Sequence, residues 1–85
     1  MDRDEIRSGL AEILKVVSED KPIDLAGVSD DTMLRDGLGL DSLQVTEMLF
    51  EIEERFGAKI EDEEAMQLRT VGDLISLIQR KQQQG

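Results

Sequence analysis

A chain of 85 residues with no histidine and no cysteine cannot build a Ser-His-Asp triad, a Cys-His dyad, the usual structural zinc sites or a disulfide. Its 10 Lys and Arg stand against 20 Asp and Glu for a net charge of -10, which argues against nucleic acid or an anionic membrane as partner and for basic protein surfaces. A chain this short forms one domain, residues 1–85, and buries only about 60% of its unfolded surface.

Ile6, Leu10, Ile13, Leu14 and Val17 recur at i, i+4, i+7, i+8 and i+11, so a first helix with one apolar stripe is expected from residue 4 to about 18. Pro22 stops it. Residues 19–40 hold Pro22, Gly27, Gly37 and Gly39 without a sustained period, and read as a long connection pinned by Ile23, Leu25, Val28, Met33, Leu34 and Leu38. A connection of that length is uncommon in a compact domain unless it has a function.

Asp41 is a good N-cap for a second helix running to about Phe56, with Gly57 as its C-cap. Val45, Leu49, Ile52 and Phe56 form its core stripe. Leu43 and Phe50 lie on a second stripe, bordered by Glu47, Glu51, Glu53 and Glu54. An apolar patch with an acidic rim is the anatomy of a helix that docks onto other proteins.

A short third helix is expected from about Asp62, because Asp62, Glu63 and Glu64 suit a positive helix end, with Ala65, Met66 and Leu68 as its apolar contacts. Thr70 and Asp73 resemble a capping box for a fourth helix whose stripe is Val71, Leu74, Ile75 and Ile78. The tail from Gln82 to Gly85 is expected to fray. The architecture is thus all-α, four helices with a long first loop and a short third helix. No apolar run approaches the roughly 20 residues of a membrane span, and Asp2, Asp4 and Glu5 do not resemble a secretory signal. A cytoplasmic monomer without membrane insertion is expected.

Ser42 is the residue with chemistry to offer. It sits in the first turn of the second helix, where backbone N–H groups lack intrahelical partners and the dipole is positive, so a phosphate attached to its hydroxyl is stabilised without a basic side chain. The string Asp41-Ser42-Leu43 after Gly39 also suggests a GDSL-type serine hydrolase, but that chemistry needs a histidine base. The charge is concentrated around Ser42: residues 1–35 carry a net -4, residues 36–64 a net -8 and residues 65–85 a net +2. Acids near Asp36, Asp41, Glu61 and Asp62 attract cations loosely, but EF-hand spacing is absent, and no metal site is assigned.

The segment Leu38-Gly39-Leu40-Asp41-Ser42-Leu43, the acidic helix Glu47 to Phe56, Ile60, the turn Asp62-Glu63-Glu64-Ala65 and the Thr70-Val71 helix start together resemble acyl carrier proteins, without a gap from about Leu34 to Ile78. The resemblance implies a carrier that catalyses nothing. Its Ser42 would receive 4′-phosphopantetheine from a phosphopantetheinyl transferase, with coenzyme A as donor, and the arm's thiol would hold acyl groups as thioesters for acyl-transferring, condensing and modifying enzymes. Carried over residue by residue, Asp41 and Leu43 flank the modified serine, while Glu47, Phe50, Glu53 and Glu54 meet partner enzymes. Val45, Ile52, Ala65 and Leu68 would line an acyl pocket between the second and third helices.

Gln44, Thr46, Gly37 and Glu61 depart from the pattern of many fatty-acid carriers, and Arg55 puts a positive charge in an acidic helix end. These departures tilt the reading from fatty-acid synthesis toward a specialised, polyketide-type pathway. Two further readings stand beside it: an aminoacyl or peptidyl carrier, and a non-covalent acidic interaction module for which Ser42 would be dispensable.

Overall fold

The computed structural model describes residues 2–18, 25 and 27–84; Pro22 and Ile23, invoked above, lie outside them. Four helices follow in chain order among the described residues: α1 (Arg3–Val17), α2 (Ser42–Phe56), α3 (Asp62–Ala65) and α4 (Val71–Gln84). Each begins where its sequence offers a cap. The Asp2 carboxylate accepts from the Glu5 N–H at 2.9 Å to start α1. Before α4, Thr70 Oγ1 accepts from the Asp73 N–H at 3.1 Å while Asp73 accepts from the Thr70 N–H at 3.2 Å, the reciprocal box expected from the sequence. Gly57 closes α2 at φ 67°, a left-handed conformation that a side chain would oppose.

Helix α1 packs against both α2 and α4. Its five expected stripe residues are all buried, as are Val71, Leu74, Ile75 and Ile78 of α4. Met48 and Ile52 are the fully buried residues of α2, whereas Val45, Leu49 and Phe56 are partly buried against the core. Met48 was absent from the expected stripe although it lies on the same face. Helix α4 continues past Gln82, where fraying was expected, to Gln84; glutamine is a good helix former and no breaker intervenes before Gly85.

The long connection is held by its backbone as much as by apolar anchors. Leu34 N–H donates to the Arg69 carbonyl (2.8 Å), Val71 N–H to that of Thr32 (2.9 Å) and Gly72 N–H to that of Asp30 (2.8 Å), which stitches the loop to the start of α4. Leu25 and Leu34 are buried. Met33, expected as an apolar anchor, instead leaves its side chain exposed; its backbone does the holding, bridging Thr70 and accepting from the Gly37 N–H. A Cβ on Gly37 would stand 2.7 Å from the Met33 carbonyl oxygen and 2.9 Å from its nitrogen. The absence of a side chain at Gly37 is therefore required by packing.

Ion pairs complete the frame. Asp30 pairs with Arg3 (2.9 Å) and Arg7 (2.8 Å), Arg55 with Glu12 across α2 and α1, and Lys81 with Glu64 at 2.6 Å, joining α4 to α3. The hydrogen bond from Lys81, then that from the Glu61 N–H, holds the Glu64 carboxyl below its ordinary value of 4.5. A carboxyl depressed in the folded state contributes stability that is complete above the unfolded value and is lost as pH falls through the folded one. Lys81→Met is therefore expected to lower the urea midpoint at pH 7 and to converge on the parent as pH drops below 4.5. A gap between the two proteins that stays constant from pH 7 to 3 would refute the assignment.

Candidate functional site

Helix α2 presents three surfaces, and their separation follows from its register. At about 100° per residue, Leu43 and Phe50 fall about 160° to 180° around the helix from Ile52. The core therefore takes Met48 and Ile52 and leaves Leu43 67% and Phe50 62% exposed. Glu47, Glu53 and Glu54 are exposed beside them, while Glu51 is half-buried. The expected apolar stripe with its acidic border is thus on the surface.

Ser42 opens α2 with its side chain exposed. Asp41 caps the helix: its carboxylate accepts from the Gln44 N–H at 2.8 Å, and Gln44 Oε1 accepts from the Asp41 N–H at 3.0 Å. Gln44 completes a capping box. The spacing of Asp41 and Gln44 is the signature of such a box, so its role was readable although it was counted only as a departure. The first intrahelical bond of α2 runs from Val45 N–H to the Asp41 carbonyl. The N–H groups of Ser42 and Leu43 precede it and face the helix's positive end. Arg35, from the loop before α2, donates from Nη2 to Ser42 Oγ at 2.9 Å. An exposed hydroxyl, two free-ended peptide N–H groups and a guanidinium form a setting that fits a phosphodiester. Arg35 was not singled out in the sequence, because seven residues of irregular loop hide its proximity.

Two adjoining grooves run from this point between α2 and α3. One, of about 570 Å³, reaches Ser42, Leu49, Phe50 and Ile60; the other, of about 410 Å³, reaches Leu34, Leu68 and Arg69. Arg35, Val45, Ala65 and Met66 border both. Three of the four expected pocket residues, Val45, Ala65 and Leu68, therefore line a groove. Ile52 does not: it is fully buried in the core, because it points into the bundle on the face shared with Met48. Met66, expected as a packing contact of α3, is 83% exposed and forms a rim; the four-residue helix ends before it.

Carboxylates near the site have structural partners. Glu64 accepts from the Glu61 N–H at 3.1 Å and from Lys81. Among the described residues, no cluster of three His, Cys, Asp or Glu is placed to hold a metal ion, and no helix is long and apolar enough to cross a membrane.

Comparison with known proteins adds independent support. The family model for the phosphopantetheine attachment site matches residues 4–78. An acyl carrier protein of Solidesulfovibrio magneticus is 39% identical over 69 residues, covering 81% of this chain and 88% of that one. One from Exiguobacterium is 38% identical over 72 residues, covering 85% and 91%. The crystal structure of the acyl carrier protein of Thermotoga maritima matches with a TM-score of 0.76 at 31% identity, over 99% of this chain and 94% of that one. The acyl carrier protein of Enterococcus faecalis gives 0.71 at 33% identity, over 95% and 99%.

Proposed function

The chain belongs to the acyl carrier protein family, and from that premise we propose that it carries acyl intermediates on a 4′-phosphopantetheine arm attached at Ser42. The observation that carries the reading is the exposed Ser42 hydroxyl in the first turn of α2, beside a guanidinium and at the mouth of a groove. When bound, the group supplies a thiol that holds the acyl chain as a thioester. The chain's own residues do the rest. In the transferase Ser42 Oγ would lose its proton and attack the pantetheine-side phosphorus of the coenzyme A diphosphate, whose P–O–P bond breaks to release adenosine 3′,5′-bisphosphate; Asp41 fixes the first turn so that this oxygen faces outward, and Val45, Ala65 and Leu68 offer apolar cover to the cargo.

Incubation with a phosphopantetheinyl transferase, magnesium and coenzyme A is expected to add one arm, read by intact mass. An unchanged mass would overturn the proposal. The carrier acts in the cytoplasm on this reading, and catalyses no step itself.

Partner enzymes with basic surfaces would dock on Leu43 and Phe50, guided by Glu47, Glu53 and Glu54. Phe50→Ala is expected to change unfolding stability by less than about 0.5 kcal/mol, as for other exposed positions, while weakening turnover of the loaded carrier by a partner enzyme. Hot-spot aromatics at interfaces cost about 2 kcal/mol or more when truncated, or roughly thirtyfold in affinity. Unfolding curves paired with partner titrations separate the two effects, and a stability loss of about 3 kcal/mol would return Phe50 to the core.

The tilt toward a specialised pathway is narrower after the structure. Gln44 closes the α2 cap and Gly37 is required by loop packing, so each has a local structural reason that does not call on pathway. Thr46, exposed with Oγ1 donating to the Ser42 carbonyl at 3.0 Å, Glu61 at the start of α3 and Arg55, paired with Glu12, carry what is left of it. Mass analysis of the cargo on protein isolated from its host distinguishes a fatty-acid from a polyketide-type intermediate.

A further inference from the structure

Arg35 is a cation placed where the fold otherwise concentrates acids, since residues 36–64 carry a net -8. Four other bases are paired, Arg3 and Arg7 to Asp30, Arg55 to Glu12 and Lys81 to Glu64, while Arg69 lines one of the two grooves with Arg35 but not the one that holds Ser42. Among the described residues Arg35 has no carboxylate partner, and its hydrogen bond goes to a neutral hydroxyl, Ser42 Oγ, at 2.9 Å. Its backbone is anchored on both sides, with the Leu34 N–H bonded to the Arg69 carbonyl and the Arg35 carbonyl accepting from the Gly39 N–H, each at 2.8 Å. The side chain borders both grooves. A charge held in this way beside the modified oxygen, without a counter-charge of its own, is set for an anion that arrives there.

Resting on the attachment at Ser42, we propose that Arg35 is the protein's own counter-ion for the phosphodiester and fixes the root of the arm over the wall shared by the two grooves. Esterification removes the Ser42 hydroxyl proton and turns Oγ into a bridging ester oxygen. The non-bridging oxygens would then stand beside the guanidinium now bonded to Oγ at 2.9 Å, a planar fork whose geometry matches phosphate. The new negative charge would otherwise add to the self-repulsion of the acidic segment. Paired with Arg35, it is neutralised, and the arm leaves its root above Val45, Ala65 and Met66. Arg35 is a positioning residue in this role, so its signature lies in the structure and stability of the loaded protein.

The test compares apo and fully loaded forms of the wild type and of Arg35→Gln, which keeps a hydrogen-bond donor but no charge, with intact mass confirming one arm per chain. In low salt the loaded wild type is expected to melt at or above its apo form. The loaded-minus-apo shift of Arg35→Gln should lie below that of the wild type by about 4 to 8 °C, the shift that a modest loss of one surface interaction produces in a domain of this size. Loading should also shift the Arg35 Nε–H resonance of the wild type more than those of Arg3, Arg7 and Arg55. If one arm is present and the loaded-minus-apo difference is the same in both proteins, or the Arg35 resonance does not move, the counter-ion role is overturned while the attachment stands. If wild type gains no mass, both fall.

Discussion

Ser42→Ala is expected to gain no mass from a phosphopantetheinyl transferase and coenzyme A under conditions where the wild type gains one arm completely. No other residue type can substitute, because the chain has no cysteine and another hydroxyl would have to reach the same helix start. Thr46 is the nearest on α2 and is one turn along, with its hydroxyl committed to the Ser42 carbonyl at 3.0 Å. The loss should come without unfolding. Ser42 is exposed, the cap of α2 is made by Asp41 and Gln44, and what the substitution removes is an exposed hydrogen bond from Arg35. A stability change within about 0.5 kcal/mol is expected for such a site. Mass spectrometry and a urea titration of the same preparations check both halves. A variant that is still loaded would move the attachment elsewhere; one that is unloaded because it has unfolded would show in the titration.

The parts of the fold legible in the sequence were those governed by local rules. Asp41, Gly57, Thr70 and Asp73 mark helix ends through hydrogen bonds within a few residues, and the structure has each of them at work. The stripe of α1 is readable because, apart from the exposed Val16, its large apolar residues occupy one face. Helix α2 is harder, with apolar residues around most of its circumference: spacing places Ile52 in the core stripe but passes over Met48, and the family resemblance assigns Ile52 to the groove. Burial separates the faces: Ile52 and Met48 are fully buried in the core, whereas Val45 sits where α2 meets the groove. What was not legible was long-range. The stitching of residues 30–34 to residues 69–72 joins segments about half the chain apart, and Arg35 meets Ser42 only because an irregular loop turns back on itself.

The largest stability effect is expected at Met48. Its side chain is completely buried at the α2 core face, while Phe50, two residues on, is 62% exposed. Met48→Ala removes three heavy atoms from a packed interior, where neighbours relax only partly, at a cost of about 2 to 5 kcal/mol. For a domain of this length, total stability on the order of 4 to 13 kcal/mol is typical, so the substitution takes a large fraction of it. The melting temperature should fall by about 8 °C at the least and by tens of degrees at the upper end of that cost. Phe50→Ala removes more atoms and should do far less, because they are already in water. The ordering is the sensitive test, since volume alone would rank the phenylalanine first. If urea unfolding shows Phe50→Ala to be the more damaging change, the register of α2 against α1 is wrong, and the exposed face assigned to docking partners becomes part of the core.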